Sequence, residues 1–161
     1  MKRRSSAVPL AVLIALVGFA VNVTVRAQAP QQLFGTWKLN PAKSKYSPGP
    51  GPKSMTVTYS PAGFGMRIVV DVVPEKGAPQ HWEMTPMYDG TDHPVTGNPD
   101  ADTISIKRIS DTKGESTFKK GGKVMAVNVR TLAPDGRTLT IESKGTTADG
   151  KPRHDIAVFE K

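Results

Sequence analysis

The chain of 161 residues contains no cysteine, so it has no disulfide framework and its hydrophobic core must hold the fold alone. The same absence excludes a lipid-anchored cysteine after the N-terminal apolar segment, and it removes the thiol nucleophile. No Gly-x-Ser-x-Gly motif occurs either. Nucleophilic catalysis therefore lacks its usual residues.

Long apolar runs are also missing, except at the N-terminus. There a basic start, Met1-Lys2-Arg3-Arg4, precedes an apolar run over residues 7–25, and Val25-Arg26-Ala27 fits the small-x-small cleavage rule. This pattern predicts a signal peptide over residues 1–27, cleaved after Ala27, and a periplasmic or secreted protein with no membrane contact after cleavage. The run approaches the ~20 residues that cross a bilayer, so a retained anchor is the alternative. Two polar residues within the run favour cleavage.

Basic residues outnumber acidic ones, but half of this excess belongs to the predicted signal peptide. The chain has 22 Lys and Arg against 14 Asp and Glu, and removal of the four basic residues of the signal lowers the net charge from +8 to +4. The remaining basic residues are scattered, with Lys119-Lys120-Gly121-Gly122-Lys123 as the one cluster. Nucleic-acid binding therefore has little support.

Helical periodicity is absent beyond the signal, whereas two-residue alternation recurs along the chain. Met55, Val57 and Tyr59, for example, share one face, with threonines on the other. Such segments lie between turns rich in glycine, proline and aspartate, and they predict nine strands, or ten if residues 92–95 pair. Gly121-Gly122 predicts a tight hairpin before the longest strand, because both glycines accept positive φ.

An antiparallel meander with one apolar face per strand must close or stack to hide that face and its edges. We expect residues 28–34 to be a polar lead-in and residues 35–161 to form one all-β domain. The predicted fold is a single antiparallel up-and-down β-barrel of 8 to 10 strands with little helix, and a sandwich is the alternative. The proline-rich residues 40–53 predict a strap across one barrel end. In the last strand, Ile156 and Val158 are assigned to the apolar face.

Three motifs resemble known families. Gly35-Thr36-Trp37-Lys38-Leu39 resembles the Gly-x-Trp start of the calycin superfamily, which includes lipocalins and fatty-acid-binding proteins. Val158-Phe159-Glu160-Lys161 resembles the last strand of the fatty-acid-binding branch. The segment Tyr88-Asp89-Gly90-Thr91-Asp92-His93-Pro94-Val95-Thr96-Gly97-Asn98-Pro99 is similar to one that recurs in small exported bacterial proteins described as lipocalin-like, a family of unknown function.

The resemblance implies a calycin-type barrel with three structural residues. Gly35 is expected to let the chain enter at the barrel end, and Trp37 to plug the core. Arg153 is the expected counterpart of the arginine that lipocalins place across the tryptophan. Fatty-acid-binding proteins grip a carboxylate with an Arg-x-Tyr pair, but the matching positions here are Ala157 and Phe159. A carboxylate anchor at that place is therefore not expected.

The predicted barrel interior is the first candidate site. Its pocket candidates are Met55, Tyr59, Met66, Trp82, Met84, Arg108 and Met125. Flexible thioethers suit an adaptable pocket for a hydrophobic ligand, although they also suit a filled core. Arg108 is in phase with Ile104 and Ile106, so it points inward, toward a ligand carboxylate, if the strand stays regular. A strand end or a bulge at Arg108 would return it to solvent.

The segment from Tyr88 to Asp102 is the second candidate, because fifteen irregular residues in a compact domain are usually functional or disordered. Its residues of interest are Tyr88, Asp89, Asp92 and His93. A calcium loop starting at Asn98 fails, since Thr103 replaces the turn glycine and Ile109 the bidentate glutamate. Turn formation explains most of these residues.

No metal or cofactor is expected. The three histidines, His81, His93 and His154, lie on separate elements without metal-ligand spacing. The leading hypothesis is an exported non-enzymatic barrel that binds a small hydrophobic or amphipathic molecule. The alternative is a ligand-free envelope or extracellular interaction module with a filled core. An interior cavity above roughly 300 Å³ would favour binding. No feature indicates an oligomeric state.

Overall fold

The computed structural model describes residues 30–147 and 149–161. The predicted signal peptide, residues 1–27, lies outside these ranges. Within them the chain is nearly all β, with two single 3₁₀ turns at Gln31–Leu33 and Pro41–Lys43. No helix of the described residues has the length and apolar character needed to cross a bilayer.

Eleven strands make up the described chain. In order they are β1 (Gly35–Leu39), β2 (Lys45–Ser47), β3 (Ser54–Ala62), β4 (Gly65–Val73), β5 (Gln80–Met84), β6 (His93–Thr96), β7 (Thr103–Arg108), β8 (Lys113–Lys120), β9 (Lys123–Leu132), β10 (Thr138–Thr146) and β11 (Pro152–Glu160). From β3 to β11, each strand pairs antiparallel with the next. Strand β1 pairs with both β3 and β11 and so closes a ring of ten strands. The short strand β2 pairs with residues 154–156 of β11, a part of that strand that β1 does not pair with. The predicted antiparallel barrel is confirmed.

Two local predictions about strands are also confirmed. Strand β9 is the longest, and the Gly121-Gly122 hairpin before it has φ values of +55° and +78°. The optional tenth strand is present as β6, one residue later than predicted, with Val95 opposite Met84 and His93 opposite Ile104. The segment after Tyr88 is therefore partly sheet and not an irregular loop.

The predicted face of the last strand is wrong. In β11, Ala157 and Phe159 are buried with 8% and 1% of their surface exposed, whereas Ile156 and Val158 are half-buried on the outer side. Both sets are apolar, so alternation within the strand does not choose between them. Pairing decides, because Phe159 lies opposite Leu139, a buried residue of β10.

One barrel end, here the plugged end, is closed by fully buried side chains: Leu33, Trp37, Met66, Leu139 and Phe159. The Trp37 Nε1–H donates a hydrogen bond of 2.7 Å to the Leu33 carbonyl, as a buried indole requires. Gly35 turns the chain into β1 at this end with φ +118°, a backbone conformation that residues with a Cβ adopt only with strain. The expected roles of Gly35 and Trp37 agree with this geometry.

The expected position of Arg153 across Trp37 is wrong. Lys161 occupies that place, with its Nζ 4.4 Å from the centre of the Trp37 ring. The same ammonium donates hydrogen bonds to the carbonyls of Gln32 (2.7 Å) and Phe34 (2.9 Å). Arg153 lies near the opposite end of β11, opposite Gly145. Eight positions along an extended strand separate the two cations, so Arg153 does not reach the tryptophan.

Candidate functional site

The barrel encloses a cavity of about 570 Å³. Met66 and Phe159 of the plugged end form its floor, and the opposite end is crossed by the strap, defined here as residues 48–52, of which Pro48, Pro50, Gly51 and Pro52 line the cavity. Residues 41–43 and 45–47 of the predicted proline-rich connection form a 3₁₀ turn and strand β2 instead. The volume is typical of pockets that hold small molecules.

Six of the seven predicted pocket residues line this cavity: Met55, Tyr59, Met66, Trp82, Met84 and Met125. Arg108 does not, and its prediction as a pocket residue is corrected. Strand β7 ends at Arg108, and its Nη2 lies 2.6 Å from Oδ1 of Asp111 in the following turn. The strand end thus turns the guanidinium away from the interior.

One side of the cavity, here the apolar wall, consists of β3, β4, β5 and β7. Its inward side chains include Met55, Val57, Ile68, Val70, Val72, Trp82, Met84, Ile104 and Ile106. On these strands most inward positions are apolar, and the pleat places them on one face, although Val69 and Val73 of β4 face outward. This wall offers a ligand mainly dispersion contacts, and its hydrogen-bonding side chains are Tyr59, Gln80 and the Trp82 indole.

The other side carries a row of polar side chains across five neighbouring strands, β8, β9, β10, β11 and β2. Ser116 lies opposite Asn128, which lies opposite Ser143. Ser143 in turn lies opposite Asp155, which lies opposite Tyr46. All five residues line the cavity, and they are called the polar row below. Sheet register, rather than sequence proximity, brings them together.

Three buried polar atoms at this wall have no hydrogen-bond partner: the Tyr46 hydroxyl, Oδ1 of Asn128 and Nε of Arg153. No other side chain among the described residues has such an atom. Nε of Arg153 lies 3.3 Å from Oδ2 of Asp155, close enough for an ion pair but not aligned for a hydrogen bond. Its Nη2 reaches Oγ of Ser143 at a long 3.5 Å. Unsatisfied buried groups are uncommon in proteins, and here they all belong to residues that line the cavity.

Burial shifts the acid–base properties of this wall. The pKa of Asp155 is raised by desolvation, which the Ser47 N–H and the Arg153 charge oppose. Desolvation also raises the pKa of Tyr46, and the nearby Asp155 carboxylate raises it further, against the effect of a contact with the Ser44 side chain that is not aligned for a full hydrogen bond. Asp155 is therefore held by a single ion pair and one backbone hydrogen bond of 3.2 Å in a poorly solvated place.

A second inward arginine, Arg130, lies on β9, two residues after Asn128 of the polar row. Its Nη2 donates a hydrogen bond of 3.0 Å to the Tyr88 hydroxyl, and its guanidinium carbon lies 5.8 Å from the centre of the Tyr59 ring. Burial raises the pKa of Tyr59, against the effect of the arginine. Gly114 leaves room for this side chain, because a Cβ there would lie 2.6 Å from Nη2 of Arg130.

The four candidates of the Tyr88–Asp102 segment separate into two groups. Tyr88 lines the cavity. Asp89, Asp92 and His93 do not line it and instead hold the turn and sheet together. Asp89 accepts hydrogen bonds from Thr91 and contacts Nε2 of His93 at 3.0 Å, and Asp92 pairs with Lys119 at 2.8 Å. The His93 contact, helped by Thr91, lowers the pKa of Asp89 to about 2.

The three histidines do not converge. Each pairs with a different carboxylate, His81 with Asp71, His93 with Asp89 and His154 with Glu142, and none lines the cavity. Within residues 30–147 and 149–161, no group of three or more His, Asp or Glu side chains is placed to hold a metal ion.

Sequence reasoning missed most of the cavity's polar residues, which include Tyr46, Glu75, Gln80, Glu115, Ser116, Asn128, Arg130, Ser143, Thr146 and Asp155. A signal existed in β9, where Asn128 and Arg130 are in phase with the buried Ala126 and Leu132. The other set of β9 contains valines and reads as the apolar face, which hides that signal. No protein-family model, curated protein or solved structure matches the chain.

Proposed function

We propose that this protein is a non-enzymatic barrel that binds one small amphipathic molecule in its interior. The observation that carries the proposal is the cavity of about 570 Å³, which lies between the plugged end and the strap. Its volume exceeds the roughly 300 Å³ at the lower end of small-molecule pockets. One apolar wall and one wall with hydrogen-bonding groups suit a ligand with both characters.

Two features favour binding over the other functions considered. A cavity of this size weighs against a ligand-free module with a filled core. The three His–carboxylate pairs of the described residues lie outside the cavity lining, so none of these pairs faces a bound molecule.

Export and family membership are part of the same proposal. The basic start, the apolar run and the site at Ala27 support a signal peptide and a periplasmic or secreted location. The Gly35-Thr36-Trp37 motif and the Tyr88–Pro99 segment support a lipocalin-like protein. N-terminal sequencing of the mature protein tests the first point, with Gln28 as the expected first residue.

Binding is tested by titration with the fluorescent probe 1-anilinonaphthalene-8-sulfonate. We expect one site per chain, and we expect Ala126→Trp to weaken binding at least tenfold, because Ala126 is buried on the cavity wall. The matched control is Val127→Trp on the outer side of the same strand, which should bind like the unchanged protein. Near-ultraviolet circular dichroism confirms that both variants are folded. Equal binding by the two variants would place the probe outside the barrel and overturn the proposal.

A further inference from the structure

We infer that the ligand is a molecule with hydroxyl and carbonyl groups at several positions along one edge and a mainly apolar opposite face. This inference rests on the proposed function, since it names the class of molecule that the cavity takes. It distinguishes such a ligand from a single-headed amphiphile such as a fatty acid. The polar row and the unpartnered atoms around it carry the inference.

The first argument is the extent of the row. Neighbouring strands lie about 4.8 Å apart, so four steps from Ser116 to Tyr46 cover roughly 19 Å around the wall. One carboxylate head group reaches side chains on one or two strands and leaves the others without a partner. Groups distributed along the edge of a ligand can serve several strands at once.

The second argument is the kind of atom left unpartnered. Oδ1 of Asn128 only accepts a hydrogen bond, whereas Nε of Arg153 only donates one. The Tyr46 hydroxyl does either. A complementary ligand must bring a donor and an acceptor to separate places on the row. Hydroxyl and carbonyl groups along one edge meet that requirement, and an ionised carboxylate, which only accepts, does not.

The third argument is charge. Arg153 and Asp155 form an ion pair of 3.3 Å within this wall, so their charges offset each other. The other members of the row, Tyr46, Ser116, Asn128 and Ser143, are uncharged side chains. The row itself therefore carries no net charge, and the nearby Arg130 already donates to the Tyr88 hydroxyl and lies over the Tyr59 ring, so a neutral polar edge fits this wall. The opposite wall is mainly apolar, with Gln80 and the Tyr59 hydroxyl as its polar groups besides the Trp82 indole, so the far face of the ligand should be mainly apolar as well.

Isothermal titration calorimetry with three probes tests the inference: quercetin, flavone and palmitate. Quercetin and flavone share a ring skeleton, but only quercetin carries hydroxyl groups around it. We expect quercetin to bind at least tenfold more tightly than either of the others. Tyr46→Phe and Ser143→Ala should each weaken quercetin about fivefold, the equivalent of one net hydrogen bond of about 1 kcal/mol, and leave flavone unchanged.

Ser105→Ala is the matched control for Ser143→Ala, because Ser105 lies on β7 between the inward Ile104 and Ile106 and does not line the cavity. It should bind quercetin normally. The Tyr46→Phe variant should keep its thermal midpoint, since the hydroxyl that it loses makes no well-aligned hydrogen bond to the described residues. The inference would be overturned if palmitate or flavone bound as tightly as quercetin. It would also be overturned if Tyr46→Phe and Ser143→Ala weakened the binding of all three probes equally. Either result would leave the proposed function standing. Failure of every probe, including the fluorescent one, would overturn both.

Discussion

At the scale of single residues, Trp37 and Lys161 determine how the barrel is closed. The indole makes one buried hydrogen bond, to Leu33, and the ammonium of Lys161 lies over its ring. The same ammonium bonds two carbonyls of the segment that leads into β1. The Lys161 ammonium therefore holds residues 32–34 and the end of β11 together beside Trp37, whereas Arg153 lines the cavity.

Replacing Trp37 should be costly. Trp37→Ala leaves a large void in the plugged end and removes the Leu33 hydrogen bond, so we expect a loss of about 3–5 kcal/mol in the free energy of unfolding. The measurement is urea denaturation. Trp82→Ala is the control, because Trp82 is half-buried and already borders the cavity, so its loss should be clearly smaller. Equal losses would show that Trp37 is not the plug.

Asp89 should titrate well below an ordinary aspartate. Its pKa is lowered from 3.8 to about 2, mainly by the contact with His93. A lowered carboxyl pKa stabilises the fold at pH values above 3.8, and that contribution is lost as the pH falls through about 2. Carbon-detected NMR of the Asp89 carboxyl should show a midpoint near pH 2.

The cause of the shift is tested by removing the histidine. His93→Ala should move the Asp89 midpoint up toward 3.8, because the first cause of the shift is then absent. His81→Ala, which removes a histidine paired with Asp71, should leave the midpoint where it was. A wild-type midpoint near 3.8 would show that the His93 contact does not form in solution.

At the scale of elements, the strap is positioned by contact between Gly51 and the Tyr46 ring. A Cβ built on Gly51 would overlap that ring, so Gly51→Ala must shift either the strap or Tyr46. We expect a stability loss of about 1–3 kcal/mol and several-fold faster release of the fluorescent probe in stopped-flow experiments. Gly49→Ala is the control, because its Cβ would meet Tyr46 only at 3.7 Å. Unchanged release in both variants would mean that the strap does not restrict the cavity opening.

The pattern of polar and apolar residues within each strand explains which inward faces could be predicted. In β3 the residues between the inward ones are Thr56 and Thr58, and in β4 Arg67 and Asp71 mark the outer face, so one face could be assigned from the sequence. In β11 both faces contain apolar residues, and Ile156 and Val158 were assigned inward. The error concealed Arg153 and Asp155, which lie in the inward set with Ala157 and Phe159.

The polar row was not predictable from the chain because its five members lie on five strands. Their alignment depends on the register of each pair, and the β8–β9 pair contains an irregularity at Phe118/Lys119 that shifts the register. Arg108 shows the converse case. Its outward position follows from where β7 ends, an alternative that the sequence left open beside a continuous strand.

At the scale of the whole molecule, closure of the barrel creates the interior and also divides it. Strands β3, β4, β5 and β7 supply the apolar wall, whereas β8 to β11, with β2, supply the polar row. The plugged end leaves the strap end as the opening toward solvent, lined by Pro48, Pro50 and Pro52. Two chemically different walls in one cavity are the basis of the proposed function.

Native mass spectrometry of the protein, purified without detergent from the organism that makes it, tests that function most directly. We expect a species heavier than the bare chain by one small molecule, which is released as the collision energy increases. The same preparation of Ala126→Trp should give the bare mass, because the added side chain occupies the cavity, and Val127→Trp should retain the adduct. Bare mass in all three preparations, together with no 1:1 binding of the fluorescent probe, would contradict a ligand-binding barrel.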